Sequence, residues 1–109
     1  MFETKEFREQ LESAVSSEAA RNNLERYQNA IIEYLQRLAF ENETTLMESE
    51  GRKAAGARRG IADALRSARE LTSEAAKYAA AEKRKLLTRS DVEKAYQAKF
   101  CQVWPFCKE

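Results

Sequence analysis

The chain has 109 residues, one proline, three glycines, two cysteines and no histidine. This length fits one domain with a modest core that needs no staples. Without histidine there is no ordinary general base near neutral pH. With no glycine-rich phosphate loop or nucleophile motif either, neither catalysis nor a cofactor is expected, and binding of another macromolecule is.

The net charge of +1 hides segregation along the chain. Residues 1–50 carry 5 Lys+Arg against 11 Asp+Glu, residues 51–89 carry 11 against 4, and residues 90–109 carry 3 of each. Such asymmetry points to a nucleic-acid or acidic partner for the second half, or to an acidic helix lying on a basic one. The opening residues Met1 to Glu6 are charged and offer no apolar leader core. No apolar run approaches the roughly 20 residues that span a bilayer. An intracellular protein of the cytoplasm, nucleoid or nucleus, with no membrane association, is the expectation.

Alanine, leucine, glutamate, lysine and arginine dominate, the residues that lose least on entering a helix, so an all-α fold is expected. A first helix is predicted from about Thr4 to Ala14, with Phe7, Leu11 and Ala14 or Val15 on one face. Ser16-Ser17 is expected to break it, Ser17 acting as N-cap of a second, long helix. Leu24, Tyr27, Ile31, Tyr34 and Leu38 step by three and four along that helix. Order is expected to weaken at residues 41–45, where short polar side chains compete for backbone hydrogen bonds. Glu41, Glu43, Glu48 and Glu50 read as a solvated acidic surface.

The third predicted helix, about Lys53 to Arg84, is the most regular. Ala54, Ala57, Ile61, Ala64, Ala68, Leu71, Ala75 and Tyr78 keep an unbroken 3-4 spacing, and their small side chains allow a partner helix to approach closely. Leu86-Leu87 reads as a short extended connector. Ser90-Asp91-Val92-Glu93 reads as a capping box, with Ser90 as N-cap, opening a last short helix from about Asp91 to Phe100. Pro105 stops any continuation, and Val103, Trp104 and Phe106 form an apolar tail expected to dock on the body of the protein or a partner. Cys101 and Cys107 supply two soft ligands, short of a structural zinc site, so no metal is expected. The favoured state of both is the reduced thiol.

Ser73-Glu74-Ala75-Ala76-Lys77-Tyr78-Ala79, followed by Arg84-Lys85 and by Asp91 seven residues after Arg84, resembles the end of the histone fold as found in archaeal histones. The resemblance implies a long central helix with short flanking helices. Here extra N-terminal helices precede it, giving an extension over residues 1–29, a core over 30–100 and a tail over 101–109. It also implies a homodimer or heterodimer through the 54–78 helix. In that dimer the loop before the long helix of one chain lies beside the loop after it in the other, and double-stranded DNA is gripped there. Arg84 and Asp91 are the structural ion pair of this pattern. Arg52, Lys53, Lys83, Lys85 and Arg89 are the candidate phosphate ligands, with Arg58 and Arg59 extending their surface. The chain departs from the family at Leu86, where the family carries threonine, and residues 1–29 have no counterpart in a minimal histone. Val15-Ser16-Ser17-Glu18-Ala19 also resembles the start of a histone central helix, which leaves a second frame open. A helical protein-interaction module without nucleic acid is the rival expectation.

Overall fold

The computed structural model describes the backbone of residues 2–41 and 53–103 and the side chains of residues 2–41 and 60–99. Among the described residues four helices carry the fold: α1 (Lys5–Arg21), α2 (Ala30–Glu41), α3 (Lys53–Ala81) and α4 (Arg89–Val103). Two short extended segments join them, β1 (Arg26–Tyr27) after α1 and β2 (Leu86–Leu87) after α3. α4 is locally non-helical at Lys99 (φ −125°, ψ 15°). No helix among the described residues is long and apolar enough to cross a membrane.

α1 starts where Thr4 takes an extended conformation and its hydroxyl accepts a hydrogen bond from the Phe7 N–H at 3.1 Å, satisfying one of the unpaired first-turn donors. Phe7, Leu11, Ala14, Val15 and Ala19 form its buried face. The helix runs without interruption through Ser16 and Ser17, correcting the expected break. Both serines are exposed while Val15 and Ala19 on either side are buried, and burial of that face outweighs the small propensity cost of serine.

The break comes instead at Asn22. Asn23 takes a left-handed conformation (φ 64°); its N–H donates to the Ala20 carbonyl at 3.1 Å, and the Leu24 N–H donates to the Ala19 carbonyl at 2.9 Å. These are the two bonds of a Schellman terminus, with Leu24 closing over the last turn. Leu24 and Tyr27 therefore leave the helical stripe assigned to them in the sequence and belong to the loop and β1.

α3 ends the same way. Lys83 is left-handed (φ 56°), its N–H donates to Ala80 at 3.0 Å, and the Arg84 N–H donates to Ala79 at 2.9 Å. The two loops then lie side by side. β1 and β2 pair in parallel, Arg26 opposite Leu86 and Tyr27 opposite Leu87. The Glu25 and Arg26 N–H groups donate to the Lys85 carbonyl at 2.9 and 3.2 Å, and the Gln28 N–H donates to the Leu87 carbonyl at 3.0 Å.

The chain is thus two helix–strand–helix units, α1–β1–α2 and α3–β2–α4, related by a constant offset of 60 residues: Asn23 matches Lys83, and Arg26 and Tyr27 match Leu86 and Leu87. Buried positions follow the same offset, with Leu11 matching Leu71, Val15 matching Ala75, Ala19 matching Ala79 and Leu35 matching Ala95. Both units feed one hydrophobic cluster, to which residues 2–21 contribute Phe2, Phe7, Leu11, Val15 and Ala19. The Gln36 amide, donating to the Phe2 carbonyl at 2.8 Å, ties the start of the chain to α2.

The alanine stripe of α3 is consumed in this packing. Ala64, Ala68, Leu71, Ala75, Ala76 and Ala79 are buried, and α3 packs on α1 and α4 of its own chain. The small side chains of α3 and the larger Leu11 and Val15 of α1 belong to the same buried cluster. The side chains of Ala54 and Ala57 lie outside the described residues.

Candidate nucleic-acid interface

The loop after α3 is organised around Arg84. Its guanidinium lies on Asp91 in a two-pronged contact, one terminal nitrogen 3.0 Å from Oδ2 and the other 2.9 Å from Oδ1. It also donates to the Leu86 carbonyl at 2.9 Å and to both carboxylate oxygens of Glu82, at 3.3 and 2.9 Å. All five N–H donors of the guanidinium are thereby used. Asp91 is 1% exposed and also accepts the Thr88 N–H at 3.0 Å, while its own N–H donates to the Thr88 hydroxyl at 3.2 Å.

That reciprocal pair is the N-terminal cap of α4, and it corrects the expected box. Thr88 is the capping residue and Asp91 reaches back from the third helical position, because α4 already begins at Arg89. Ser90 is exposed on the first turn, and Glu93 pairs with Arg89 instead, at 2.7 Å. Burial alone would push the Asp91 carboxyl up, but the hydrogen bonds from Arg84 and Thr88 outweigh it and hold the group below the ordinary aspartate range. The same contacts raise the Arg84 pKa, Asp91 contributing most and Glu82 next. Glu82 is lowered, chiefly by its hydrogen bond from Arg84.

The first unit has no such pair. At the positions matching Arg84 and Asp91 it carries Leu24 and Ile31, both buried. One joint is latched by charge, and its counterpart carries two buried apolar side chains.

The candidate phosphate ligands fall into three groups. Lys83 and Lys85 are exposed, with Lys85 Nζ donating to the Asn23 carbonyl across the loop pair at 3.2 Å. Together with Asn22, Asn23, Leu24 and Arg84 they line a cleft of about 360 Å³ between the two loops. Arg89 is engaged elsewhere. Its guanidinium sits over the Tyr34 ring at 5.2 Å and on Glu93, and its N–H donates to the Gln28 side chain at 3.0 Å. It fastens α4 to α2, where Tyr34 and Tyr96 meet edge-on at 6.3 Å; burial and the nearby Glu93 raise the Tyr34 hydroxyl pKa. Arg52 lies outside the described residues, as do the side chains of Lys53, Arg58 and Arg59. The same holds for Glu43, Glu48, Glu50, Trp104, Phe106 and Cys107 and for the side chains of Cys101 and Val103.

Two cations of the loop edge escaped the sequence reading. Arg26 is exposed on β1, opposite Leu86. Arg21 ends α1 with its side chain 78% exposed and a long contact to Glu18 at 3.7 Å. The signal for them is topological: the acidic first half hides two arginines that matter only once its loop lies beside the basic one. Glu25 and Glu82 are carboxylates of the same edge, and Glu82 is held by Arg84.

No protein-family model, no curated protein and no solved structure matches the chain.

Proposed function

We infer that the chain is a histone-like module that binds double-stranded DNA through its phosphates, without reading sequence. The observation that supports this best is the parallel pairing of β1 with β2, which brings the loop bearing Arg21 and Arg26 against the loop bearing Lys83 and Lys85. This pairing joins the loop after α1 to the loop after α3 within one chain, whereas the histone resemblance pairs the loop before the long helix with the loop after it in a partner chain; a single chain suffices to assemble this basic edge.

Of the acidic first half, Glu18 and Glu25 stand at the loop edge, Glu18 against Arg21, while the carboxylates at the other end of α1 are remote from it. Glu3, Glu6 and Glu9 are exposed at the beginning of α1, and at 1.5 Å per residue Glu6 stands roughly 20 Å along the helix from Arg21. That is about two Debye lengths at physiological salt, so their repulsion is largely screened at the loop edge. Sequence-specific reading has no support in the loops, which present lysine and arginine rather than a recognition helix with base-reading side chains.

The test is a salt titration of duplex binding by fluorescence anisotropy, on two duplexes of equal length and unrelated sequence. Equal affinities are expected, with log K falling against log salt at about −0.9 per phosphate contacted, so that three to four contacts give a slope of about −3 to −3.5. A flat titration, or no binding at low salt, removes the reading. A second reading, a protein-interaction module, rests on Phe40, 46% exposed on α2. Phe40→Ala leaves duplex affinity unchanged under the first reading and abolishes capture of a protein partner under the second.

A further inference from the structure

Lys83 occupies a backbone conformation that its own chemistry disfavours. Its φ of 56° lies in the left-handed region, where a β-carbon crowds the following carbonyl and where glycine or asparagine is the usual occupant. At the matching position of the first unit the chain uses Asn23 (φ 64°), a side chain that tolerates this region. The lysine side chain gains nothing locally from it, being exposed and making no hydrogen bond or ion pair among the described residues. A strained residue held where an easier one would serve is a pointer to function.

The residue held in this conformation lines the cleft between the loops. Lys85 stands on the same cleft and commits one of its three donors to the Asn23 carbonyl. Arg84 lines the cleft too, but its donors are taken by Glu82, Asp91 and Leu86, and its charge is cancelled there. Two cations with spare donors therefore line a hollow that they share with Asn22, Asn23, Leu24 and Ala80.

The geometry points to a seat for one phosphate group in this cleft, held by Lys83 and Lys85 and bounded by Asn22 and Asn23. Its natural occupant, a backbone phosphodiester, rests on the DNA reading above; the chemistry of the seat is common to any phosphate group.

The experiment uses the full 15N-labelled chain and two probes, inorganic pyrophosphate and a short DNA duplex, each titrated at fixed ionic strength against chloride. Saturable shifts confined to the amides of residues 22–24 and 83–85 are expected with both. Lys83→Gln and Lys85→Gln should each weaken pyrophosphate binding roughly fivefold or more, the loss of one charge-assisted contact, and Lys83→Arg should retain it. Shifts that do not saturate, that spread over remote cations such as Arg8, Arg37 and Lys94, or that ignore both substitutions overturn the seat. Saturable pyrophosphate binding with no duplex binding keeps the seat and removes the DNA reading. Duplex binding that leaves residues 22–24 and 83–85 unmoved removes the seat and leaves the DNA reading to other cations.

Discussion

Asn23 and Lys83 hold the same left-handed conformation at the ends of α1 and α3, each followed by a residue whose N–H closes on the alanine five positions before it in the helix. One chain thus makes the same turn twice, once with a residue suited to it and once with a residue that is not.

The first expectation comes from that contrast. Lys83→Gly removes the crowding at the β-carbon and should raise stability by about 0.5–1 kcal/mol, the relief in the folded state being partly offset by the greater freedom of glycine in the unfolded chain. Duplex affinity should fall in the same variant. Urea unfolding and anisotropy measured side by side check it, and a variant that loses stability would show that the lysine side chain holds the turn together.

The latch of the second unit gives the next. Asp91→Ala leaves the Arg84 guanidinium and the Thr88 N–H without their buried acceptor and should cost about 2–4 kcal/mol. The first unit shows what an apolar latch looks like at the same place, with Leu24 and Ile31. Replacing both members, Arg84→Leu with Asp91→Ile, should recover at least half of the loss, because no uncompensated charge remains. A double variant less stable than Asp91→Ala would show that Glu82, Leu86 and Thr88 depend on the charged pair.

The pH dependence follows from the depressed carboxyl of Asp91. A group whose native pKa lies below its unfolded value contributes stability above the unfolded value, about 3.9 for aspartate, and loses it as pH falls through the native one. Unfolding free energy should therefore drop on acidification below about pH 4. Asp91→Asn should be less stable at pH 7 but show a shallower acid limb, which chemical denaturation across pH 2.5–6 measures.

The cap assignment separates two neighbours in the sequence. Thr88→Ala should destabilise the chain by about 1 kcal/mol through loss of the N-cap oxygen, whereas Ser90→Ala, at an exposed first-turn position, should change stability by less than about 0.5 kcal/mol. Equal effects would return the cap to Ser90.

Among the arginines, Arg26→Gln should lower the salt slope of duplex binding by about 1, the share of one phosphate contact. Arg89→Gln should leave the slope unchanged, because that guanidinium is committed to Glu93 and Tyr34. A slope that falls with Arg89 and not with Arg26 would move the interface from β1 to the start of α4.

The local features that were legible in the sequence are those with a periodic or fixed-spacing signal. The 3-4 alanine stripe marks α3, and the apolar pair Leu86-Leu87 is extended as its composition suggests. The seven-residue step from Arg84 to Asp91 brings the two together because the loop turns back over the first turn of α4. The helix ends were harder. Both Schellman turns lack the glycine that ordinarily marks them, so Asn22-Asn23 passed as helix and Lys83-Arg84 as a helical basic run. Thr88 and Ser90 are equally good caps by composition, and only the position of Asp91 relative to Arg84 selects the first. The pairing of β1 with β2 left no local trace at all, since Arg26-Tyr27 is a two-residue segment whose partner lies far along the chain.

That distance has a kinetic consequence. Arg26 and Leu86 can meet only after Leu86 itself has been synthesised, and bringing them together closes a span on the order of sixty residues, a step whose entropic cost precedes any reward from contacts. While the ribosome is still extending the nascent chain, the first unit must wait without the second half of the shared hydrophobic cluster.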